Sequence, residues 1–270
     1  MPRQEIILPG VSNARELGGY LIGEKRIRKG VLLRSGALTH AAPEALEALR
    51  EKYRVQMIAD LRMIEERNTH PDPEIPGAES LHLPVLEMEE FKASIDPKLL
   101  QEYADGNRES LALFNAAYKN GMFDEQLYTR ALLPGCAKKA WQGFFSALLR
   151  LEEDRAFLWH CVDGKDRAGC AAMLLLSALG ADRETILRDY MLTNEFNPPR
   201  KFGAKGILLV FWPKRKVKAL RFAVGGVSEG HMNYAIDTLN REYGSVTEYL
   251  RQEVGVGEAE REALRGKFLE

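Results

Sequence analysis

Short apolar runs alternate along this chain with longer amphipathic stretches. Within the stretches apolar residues recur at helical spacing, most clearly over Ala137–Leu151. The runs have the length and the bounding residues of buried strands, and four of them stand out: Val31–Ser35, Gln56–Leu61, Leu81–Val85 and Ala156–Trp159. Strands that alternate with helices predict an α/β fold with a mostly parallel central sheet flanked by helices.

Turn residues, helix-cap residues and helical periodicity predict the secondary structure of the rest of the chain. The first 35 residues combine short apolar runs with Gly-rich turns, which is typical of β-hairpins. Thr39 precedes a stretch that predicts a capped helix over Pro43–Lys52. The remaining segments with a helical pattern are residues 97–150 and 182–196, followed near the C-terminus by Val246–Leu250 and Glu258–Leu269.

A basic and apolar segment spans residues 197–228. It begins with a helix-breaking Asn-Pro-Pro, carries eight Lys or Arg and no Asp or Glu, and contains the apolar run Ile207–Trp212. Three interpretations stay open: a core helix with solvated lysines, a helical lid over an active site, or a patch for an anionic membrane. We expect one domain over residues 1–270, with this segment as an insertion.

Composition and charge narrow the class of protein. The chain has 270 residues, 45% hydrophobic and 29% charged, with a formal net charge of −1. These values predict a globular protein with a substantial core and give no electrostatic attraction to nucleic acid. Three cysteines cannot build a disulfide framework, and the N-terminus lacks the apolar stretch of a signal peptide. We therefore expect a cytoplasmic location, although export without a signal peptide stays open.

The run His160–Gly169 (HCVDGKDRAG) gives the strongest chemical signal. A predicted strand precedes it and an apolar helix follows, so Cys161 stands at the strand's end and Arg167 at the helix's start. The unpaired amides of a first helical turn and the helix dipole favour an anion there. A thiol in that field loses its proton easily, and a guanidinium binds two oxygens of a phosphate. This arrangement predicts nucleophilic attack on phosphorus.

Two other interpretations of the loop stay open at this point. Cys161 could be a buried structural cysteine in an ordinary strand-to-helix turn, or the reactive thiol of a sulfur-transfer loop. The charged triplet Lys165-Asp166-Arg167 is an unusual choice for a turn that is only structural. No Cys/His pair has metal-ligand spacing, and we expect neither a metal nor an organic cofactor.

The loop resembles the signature of the protein tyrosine phosphatases. More narrowly, it is similar to the His-Cys-x-x-Gly-Lys-Asp-Arg-x-Gly motif of an atypical bacterial branch of that family, which has mycobacterial and Listeria members. Further segments resemble the same branch, in the same order along nearly the whole chain: Asn13–Gly19, Arg34–Leu38, Asp60–Arg62, Asp189–Asn194 and Tyr243–Leu250. The resemblance implies a phosphatase fold and hydrolysis of phosphomonoesters through a phosphocysteine.

Two loop residues depart from the family's pattern. Ala168 stands where phosphatases of this class usually have Ser or Thr, whose hydroxyl stabilises the departing thiolate, so the resemblance implies a slower second half-reaction. Asp163 stands where the branch often has Ala, and a carboxylate there is similar to the loop of the myotubularin lipid phosphatases. It would repel a dianionic phosphate unless Lys165 offsets its charge or the carboxyl carries a proton.

The residues of the loop divide into expected roles. Cys161 is the nucleophile, and Arg167 with the loop amides binds the equatorial phosphate oxygens. His160 orients the loop and tunes the thiolate, which we favour over direct action as a base. The residues expected to contact the phosphate or shape its cradle are Val162, Asp163, Gly164, Lys165, Ala168 and Gly169.

The proton for the leaving group has several candidate donors. Asp166 and Asp60 rank nearly equal, with Asp163 as a third candidate. Asp60 could instead only pair with Arg62, and Asp166 could only orient Lys165 or Arg34. Upstream, Arg15 and Arg34 are expected to be structural ion-pair partners rather than substrate contacts.

Three functions fit these residues. The favoured one is a phosphatase for phosphotyrosine in proteins, with phosphoserine or phosphothreonine as secondary substrates. Lys165, Asp163 and the basic segment Arg200–Arg221 favour a phosphoinositide phosphatase in peripheral contact with an anionic membrane. Ala168 and Asp163 are the support for a pseudophosphatase that binds phosphorylated partners without turnover.

Overall fold

The computed structural model describes residues 4–88, 96–104, 111–119, 127–197, 213–223 and 226–270. Within these ranges the strands are β1 Arg15–Glu16, β2 Leu21–Ile22, β3 Lys25–Arg26, β4 Leu32–Ser35, β5 Val55–Asp60, β6 Glu79–His82 and β7 Ala156–His160. The helices are α1 Pro43–Glu47, α2 Ile64–Thr69, α3 Pro97–Ala104, α4 Leu111–Lys119, α5 Leu127–Arg130, α6 Gly135–Arg150, α7 Asp166–Leu179, α8 Arg183–Met191, α9 Thr193–Phe196, α10 Lys214–Ala223, α11 Glu229–Tyr243, α12 Val246–Tyr249 and α13 Glu258–Phe268. Two π-helical turns, Ala48–Lys52 and Leu250–Val254, continue α1 and α12.

A sheet of five strands forms the centre of the part of the chain that the structure describes. Its order is β1-β4-β7-β5-β6. Strands β4, β7, β5 and β6 run parallel, and β1 pairs antiparallel with β4 at one edge. Strands β2 and β3 form a separate hairpin. The α/β fold with a mostly parallel sheet that the sequence predicts is therefore confirmed.

Strand β7 lies in the middle of the sheet and is buried on both faces. Ala156 and Leu158 pack into one apolar cluster, whereas Phe157 and Trp159 pack into the other, because successive side chains of a strand point to opposite faces. Phe144 of α6 lies edge-on to both aromatic rings, with centroids 5.2 Å from Phe157 and 5.8 Å from Trp159. Burial on both faces explains the unbroken apolar run of this strand.

Helix α7 is buried along almost its whole length against the sheet. The indole Nε1 of Trp159 donates to the carbonyl oxygen of Ala168 at 3.0 Å and ties β7 to the first turn of α7. The helix ends at Gly180, whose φ of +97° is a left-handed conformation that glycine adopts without steric cost. The strand and the helix thus hold both ends of the loop that joins them.

Some local predictions are wrong in detail. Thr39 does not cap α1, because its hydroxyl donates to the carbonyl oxygen of His70 at 2.9 Å. The third predicted strand lies at Glu79–His82, earlier than the apolar run suggested. Residues 182–196 are not one helix, because Leu192 separates α8 from α9.

The segment predicted as an insertion is described only in part. Residues 198–212 and 224–225 lie outside the described ranges, as do 105–110 and 120–126 of the predicted helical region 97–150. Within this segment the structure gives helix α10. None of the helices in the described ranges is both long enough and apolar enough to cross a membrane.

Candidate active site

Three parallel strands end side by side at one edge of the sheet. Ser35 at the end of β4 and Asp60 at the end of β5 are both in register with His160 at the end of β7. Cys161 follows His160 directly, and α7 begins at Asp166. The loop of residues 161–165 therefore lies at the carboxyl edge of the sheet, where α/β proteins bind their ligands.

Hydrogen bonds from outside the loop hold four of its carbonyl groups, those of residues 162–165. The backbone N–H of Ala37 donates to the first at 2.9 Å. The side-chain amide of Asn13 donates to the carbonyl oxygens of residues 163 and 164, at 3.1 and 2.9 Å. The Arg34 guanidinium donates to those of residues 164 and 165, at 2.8 and 3.3 Å. In a trans peptide the C=O and the next N–H point in opposite directions. The amides of residues 163–166 are thus turned to the other side, as in an anion-binding nest.

Gly164 is required by this conformation. Its φ is +65°, in the left-handed region that favours glycine. A Cβ atom at this position would lie 2.4 Å from the carbonyl carbon of Ser35 and 2.6 Å from the backbone nitrogen of Gly36. Backbone atoms cannot move aside as a flexible side chain can, so the loop packs against the end of β4 only because this residue has no side chain.

A buried ion cluster lies behind the loop. The carboxylate of Asp189 on α8 accepts from Arg15 Nε at 3.1 Å and from Arg34 Nη1 at 2.5 Å. Burial alone would raise the pKa of Asp189, but the two arginines hold it below the ordinary value. Burial, together with the nearby Arg34, lowers the pKa of Arg15 to about 10. Arg15 and Arg34 are thus structural ion-pair partners, as the sequence predicts.

Arg167, on the first turn of α7, is held by a carboxylate from another element. Glu66 on α2 accepts from Arg167 Nη1 at 2.5 Å and from Nη2 at 3.1 Å. Both residues are buried. Because this fork-to-fork pairing fixes the plane of a guanidinium, Arg167 is oriented before any phosphate binds.

Asp166 begins α7 and is only partly buried. Its Oδ1 accepts a hydrogen bond from the Tyr128 hydroxyl at 2.7 Å, and its Oδ2 lies 3.7 Å from Nζ of Lys165. Lys165 is 4% exposed, and it forms an ion pair with Asp166. The side chain of Asp166 is 26% exposed, so a bound molecule can reach this carboxyl.

Asp60 has the geometry of a structural carboxylate. Its Oδ1 accepts from Arg62 Nε at 2.9 Å and its Oδ2 from Arg62 Nη2 at 2.7 Å. Although burial raises the pKa of Asp60, the Arg62 hydrogen bonds and the nearby His160 hold it below the ordinary value. A general acid must carry a proton at the working pH. Asp60, which the sequence ranks nearly equal to Asp166, is therefore a poor proton donor.

His160 is fully buried between the loop and a second acidic residue. Its Nδ1 lies 3.3 Å from the carbonyl oxygen of Cys161, and its Nε2 lies 3.2 Å from Oδ2 of Asp72. A carbonyl oxygen only accepts hydrogen bonds, so Nδ1 is the donor in this contact. The contact ties His160 to the first residue of the loop.

Asp60, Asp72 and His160 place their potential metal-ligating atoms within 4.8 Å of one another. Nη2 of Arg62 lies 2.7 Å from a carboxylate oxygen of Asp60 and 2.5 Å from one of Asp72. A guanidinium thus already supplies the positive charge between the two carboxylates. The donor set does not fit a metal ion, because the cation would have to displace Arg62.

The remaining loop residues differ in exposure. Cys161 is 2% exposed, and Ala168 and Gly169 are also buried. Val162 and Asp163 are half-buried. The cysteine thus lies at the floor of the loop, with the two half-buried residues nearer the surface.

Sequence reasoning missed Glu66, Asp72 and Tyr128. Each lies distant in sequence from a site residue that it contacts, by 101 positions for Glu66 and Arg167, by 88 for Asp72 and His160, and by 38 for Tyr128 and Asp166. The one local signal at Glu66 is its third position in α2, where it also accepts from the N–H of Met63 at the helix start. The sequence therefore suggests only a helix cap at Glu66 and gives no sign that the same carboxylate also pairs with Arg167.

Comparisons with known proteins agree over the whole chain. The sequence model described as the tyrosine phosphatase family matches residues 6–270. A protein of Cupriavidus necator, provisionally named a tyrosine-protein phosphatase, is 28% identical over 278 residues, which cover 99% of this chain and 89% of the relative. The triple specificity protein phosphatase PtpB of Mycobacterium tuberculosis is 28% identical over 284 residues, which cover 97% of this chain and 98% of PtpB.

Proposed function

Because the chain belongs to the tyrosine phosphatase family and is a cysteine-dependent phosphomonoesterase, we propose that Cys161 is its nucleophile. The Cys161 thiolate attacks phosphorus, the S–P bond forms and the ester O–P bond breaks. The leaving oxygen takes a proton from Asp166. In the second step Asp166, now a carboxylate, takes a proton from a water molecule as its oxygen attacks phosphorus; the S–P bond breaks, inorganic phosphate leaves and the thiolate is restored.

The hydrogen-bonded carbonyls of residues 162–165 are the main support for this proposal. They turn four consecutive amides toward one side of the loop, immediately after Cys161 and at the N-terminus of a 14-residue helix. Such a site favours a dianion and, still more, the charge that spreads over the equatorial oxygens in the transition state. A merely structural cysteine needs no such arrangement.

Arg167 completes the positive side of the proposed cradle. Its bidentate bond to Glu66 uses two of the five N–H donors of a guanidinium and fixes the group's orientation. A donor that is already oriented needs no reorganisation during the reaction, which is the main source of electrostatic catalysis. Lys165 adds a further positive charge next to Asp166.

Asp166 is the proposed general acid. It is partly exposed and lies within the loop-to-helix junction, whereas Asp60 is buried and bonded to Arg62 through both oxygens. Asp163 remains the third candidate. Its hydrogen bond with Asn13 is formed by the backbone carbonyl and does not orient the side-chain carboxyl. We therefore assign the acid role to Asp166, because its carboxyl is accessible and both carboxylate oxygens of Asp60 are bonded to Arg62.

The substrate class is a phosphorylated protein, and phosphotyrosine is the side chain that we propose. Two relatives bear names that refer to tyrosine or protein phosphatases, and they cover nearly the whole chain. Lys165, Asp163 and the basic segment Arg200–Arg221 are the sequence features that favour a phosphoinositide headgroup and an anionic membrane. Much of that segment lies outside the described residues, and no contact among the described ones favours the lipid.

Steady-state turnover of a phosphotyrosine peptide, a phosphoserine peptide and vesicles that contain phosphoinositides tests this proposal. Wild type should hydrolyse the phosphotyrosine peptide with the highest kcat/KM, and Cys161→Ser should abolish turnover of all three. Cys136→Ser is the matched control, because Cys136 lies on α6 and not in the loop. Its activity should equal that of wild type.

Each other outcome has a defined meaning. Full activity in Cys161→Ser would refute the nucleophile. Highest activity on the vesicles would replace the protein substrate by a lipid. Binding of the phosphotyrosine peptide without any turnover by wild type would make the chain a pseudophosphatase.

A further inference from the structure

Tyr128 contacts the proposed acid from outside the signature loop. It lies on the short helix α5, and its hydroxyl donates to Oδ1 of Asp166 at 2.7 Å. The side chain of Tyr128 is completely buried. A buried phenol retains a hydrogen bond because leaving its hydroxyl unpaired costs free energy. Here the partner is a carboxyl that is itself partly exposed.

A second tyrosine stands behind the first. The hydroxyls of Tyr128 and Tyr190 are 2.5 Å apart, and burial raises the pKa of both phenols well above the ordinary value. Both therefore keep their protons. Since Tyr128 has one proton and donates it to Asp166, the Tyr190 hydroxyl is the donor in the bond between the two phenols. The hydrogen bonds thus run in one direction, from Tyr190 through Tyr128 to Asp166.

Packing fixes both rings. The ring of Tyr128 is edge-on to Tyr190, with centroids 6.0 Å apart, and edge-on to His231 at 5.8 Å. Gly169 of the signature loop makes room for Tyr190, because a Cβ there would lie 3.2 Å from Cδ2 of that ring. The tyrosine pair therefore has little freedom to reorient, and its hydroxyls lie at fixed points.

We infer that Tyr128 is a positioning residue for Asp166, supported from behind by Tyr190. One carboxyl oxygen of Asp166 is anchored by the phenol, which leaves Oδ2 as the atom that holds and transfers the proton. This inference rests on the proposed role of Asp166 as general acid. A fixed carboxyl is required because proton transfer needs the acid within hydrogen-bond reach of the leaving oxygen.

The test compares two aryl phosphates in Tyr128→Phe. Phenyl phosphate releases a phenol with a pKa of about 10, like tyrosine, and needs the acid. The far more acidic phenol of 2,4-dinitrophenyl phosphate leaves without a proton. We expect kcat/KM for phenyl phosphate to fall about tenfold or more, part of the hundredfold or larger contribution that is typical of a general acid. For the dinitrophenyl ester it should change less than about twofold.

A matched control and a second variant protect the test from effects on folding. Tyr249→Phe removes another buried hydroxyl, which donates to the carbonyl oxygen of Leu132, and should affect both substrates equally or neither. Tyr190→Phe keeps the Tyr128 donor and should give a smaller loss with the same selectivity for phenyl phosphate. Equal loss on both substrates, or no loss, in Tyr128→Phe would overturn the inference, and the same result in Tyr190→Phe alone would remove the supporting role of Tyr190.

Asp166→Asn distinguishes a failure of the Tyr128 inference from a failure of the general-acid assignment on which it rests. The substitution should lower kcat/KM for phenyl phosphate selectively, and adding Tyr128→Phe to it should then cause no further selective loss. A selective Asp166→Asn with an unselective Tyr128→Phe would refute only the role of Tyr128. An unselective Asp166→Asn would refute the acid assignment and with it the inference, while Cys161→Ser still reports on the nucleophile.

Discussion

At the residue scale, the pairing of Glu66 with Arg167 ties catalysis to a residue outside the loop. Glu66→Gln removes the charge and one of the two acceptors that hold the guanidinium. Arg167 would then be buried beside a weaker partner and free to turn away from the phosphate. We expect kcat/KM for a phosphotyrosine peptide to fall by about tenfold to a hundredfold, toward the effect of losing one preorganised donor.

The neighbouring glutamate supplies the control for this measurement. Glu65→Gln makes the same chemical change one position earlier in α2, at a half-buried carboxylate outside the Glu66–Arg167 pair, and should leave kcat/KM within about twofold. Equal effects of the two substitutions would show that the Glu66–Arg167 pair does not matter for catalysis.

The pH dependence of kcat/KM distinguishes the two candidate acids. A general acid acts only while protonated, so the rate falls as the pH rises through its pKa. In Asp166→Asn this alkaline fall should disappear and the plateau should drop. Asp60→Asn should keep the alkaline fall, because Arg62 and His160 already hold the pKa of Asp60 low and its carboxylate is ionised at neutral pH. Loss of the alkaline fall in Asp60→Asn alone would reverse the assignment.

Sequence alone identified the residues of the signature loop but not those that hold them. Cys161, Arg167 and Gly164 belong to one contiguous run, and the chemistry of an anion site explains their types. Glu66 and Tyr128 carry no comparable local pattern, because their roles exist only once the sheet and α7 bring distant segments together. The sequence ranks Asp60 and Asp166 nearly equal for the same reason, since the bonds from Arg62 to both oxygens of Asp60 are visible only in three dimensions.

At the scale of elements, a lysine from the C-terminal helix secures the end of α6. Nζ of Lys267 donates to the carbonyl oxygens of Leu148, Leu149 and Leu151, at 3.3, 2.6 and 2.6 Å. The last carbonyls of a helix lack partners within the helix, and the dipole favours a cation there. Lys267→Met should lower the free energy of unfolding by about 1–2 kcal/mol, near the lower range for hydrogen bonds to a charged group.

Urea unfolding of Lys267→Met and a matched variant checks this prediction. Lys139→Met changes an exposed lysine of α6 itself and should alter the free energy of unfolding by less than about 0.5 kcal/mol. Equal stability of Lys267→Met and wild type would mean that the helix end does not depend on this cation.

Elements with a strong hydrophobic pattern were predictable, and those set by tertiary contacts were not. The run before Cys161 became β7 because burial on both faces requires continuous apolar residues. The break at Leu192 and the bond from Thr39 to His70 have no counterpart in local propensity. In both places the tertiary structure overrides a local preference for a continuous or capped helix.

At the scale of the whole molecule, buried carboxylates make stability depend on pH. The pKa values of Asp60 and Asp189 are lower in the folded chain than their ordinary value of about 3.9. Their contribution to stability is present above that value and is lost as the pH falls through the lower, folded value. The free energy of unfolding should therefore decrease as the pH drops below about 4.

Asp189→Asn isolates one of these carboxylates. It leaves Arg15 and Arg34 buried without the charge between them and should cost about 3–5 kcal/mol at pH 7. The difference from wild type should shrink in acid, where the wild-type carboxyl is also protonated. Asp154→Asn breaks an exposed pair with Arg28 and should cost less than about 1 kcal/mol. A gap between Asp189→Asn and wild type that stays constant down to pH 3 would contradict this account.

The central claim is that this chain hydrolyses phosphomonoesters through a phosphorylated Cys161. Ala168 lacks the hydroxyl that assists the departure of the thiolate in related phosphatases, so the intermediate should break down slowly enough to accumulate. The most direct measurement is a rapid acid quench of wild type with a phosphotyrosine peptide, followed by mass spectrometry of the protein's own peptides. We expect one phosphoryl group on the peptide that contains Cys161 and none in Cys161→Ser. Turnover without a phosphorylated protein, or a phosphoryl group on another residue, would contradict the mechanism.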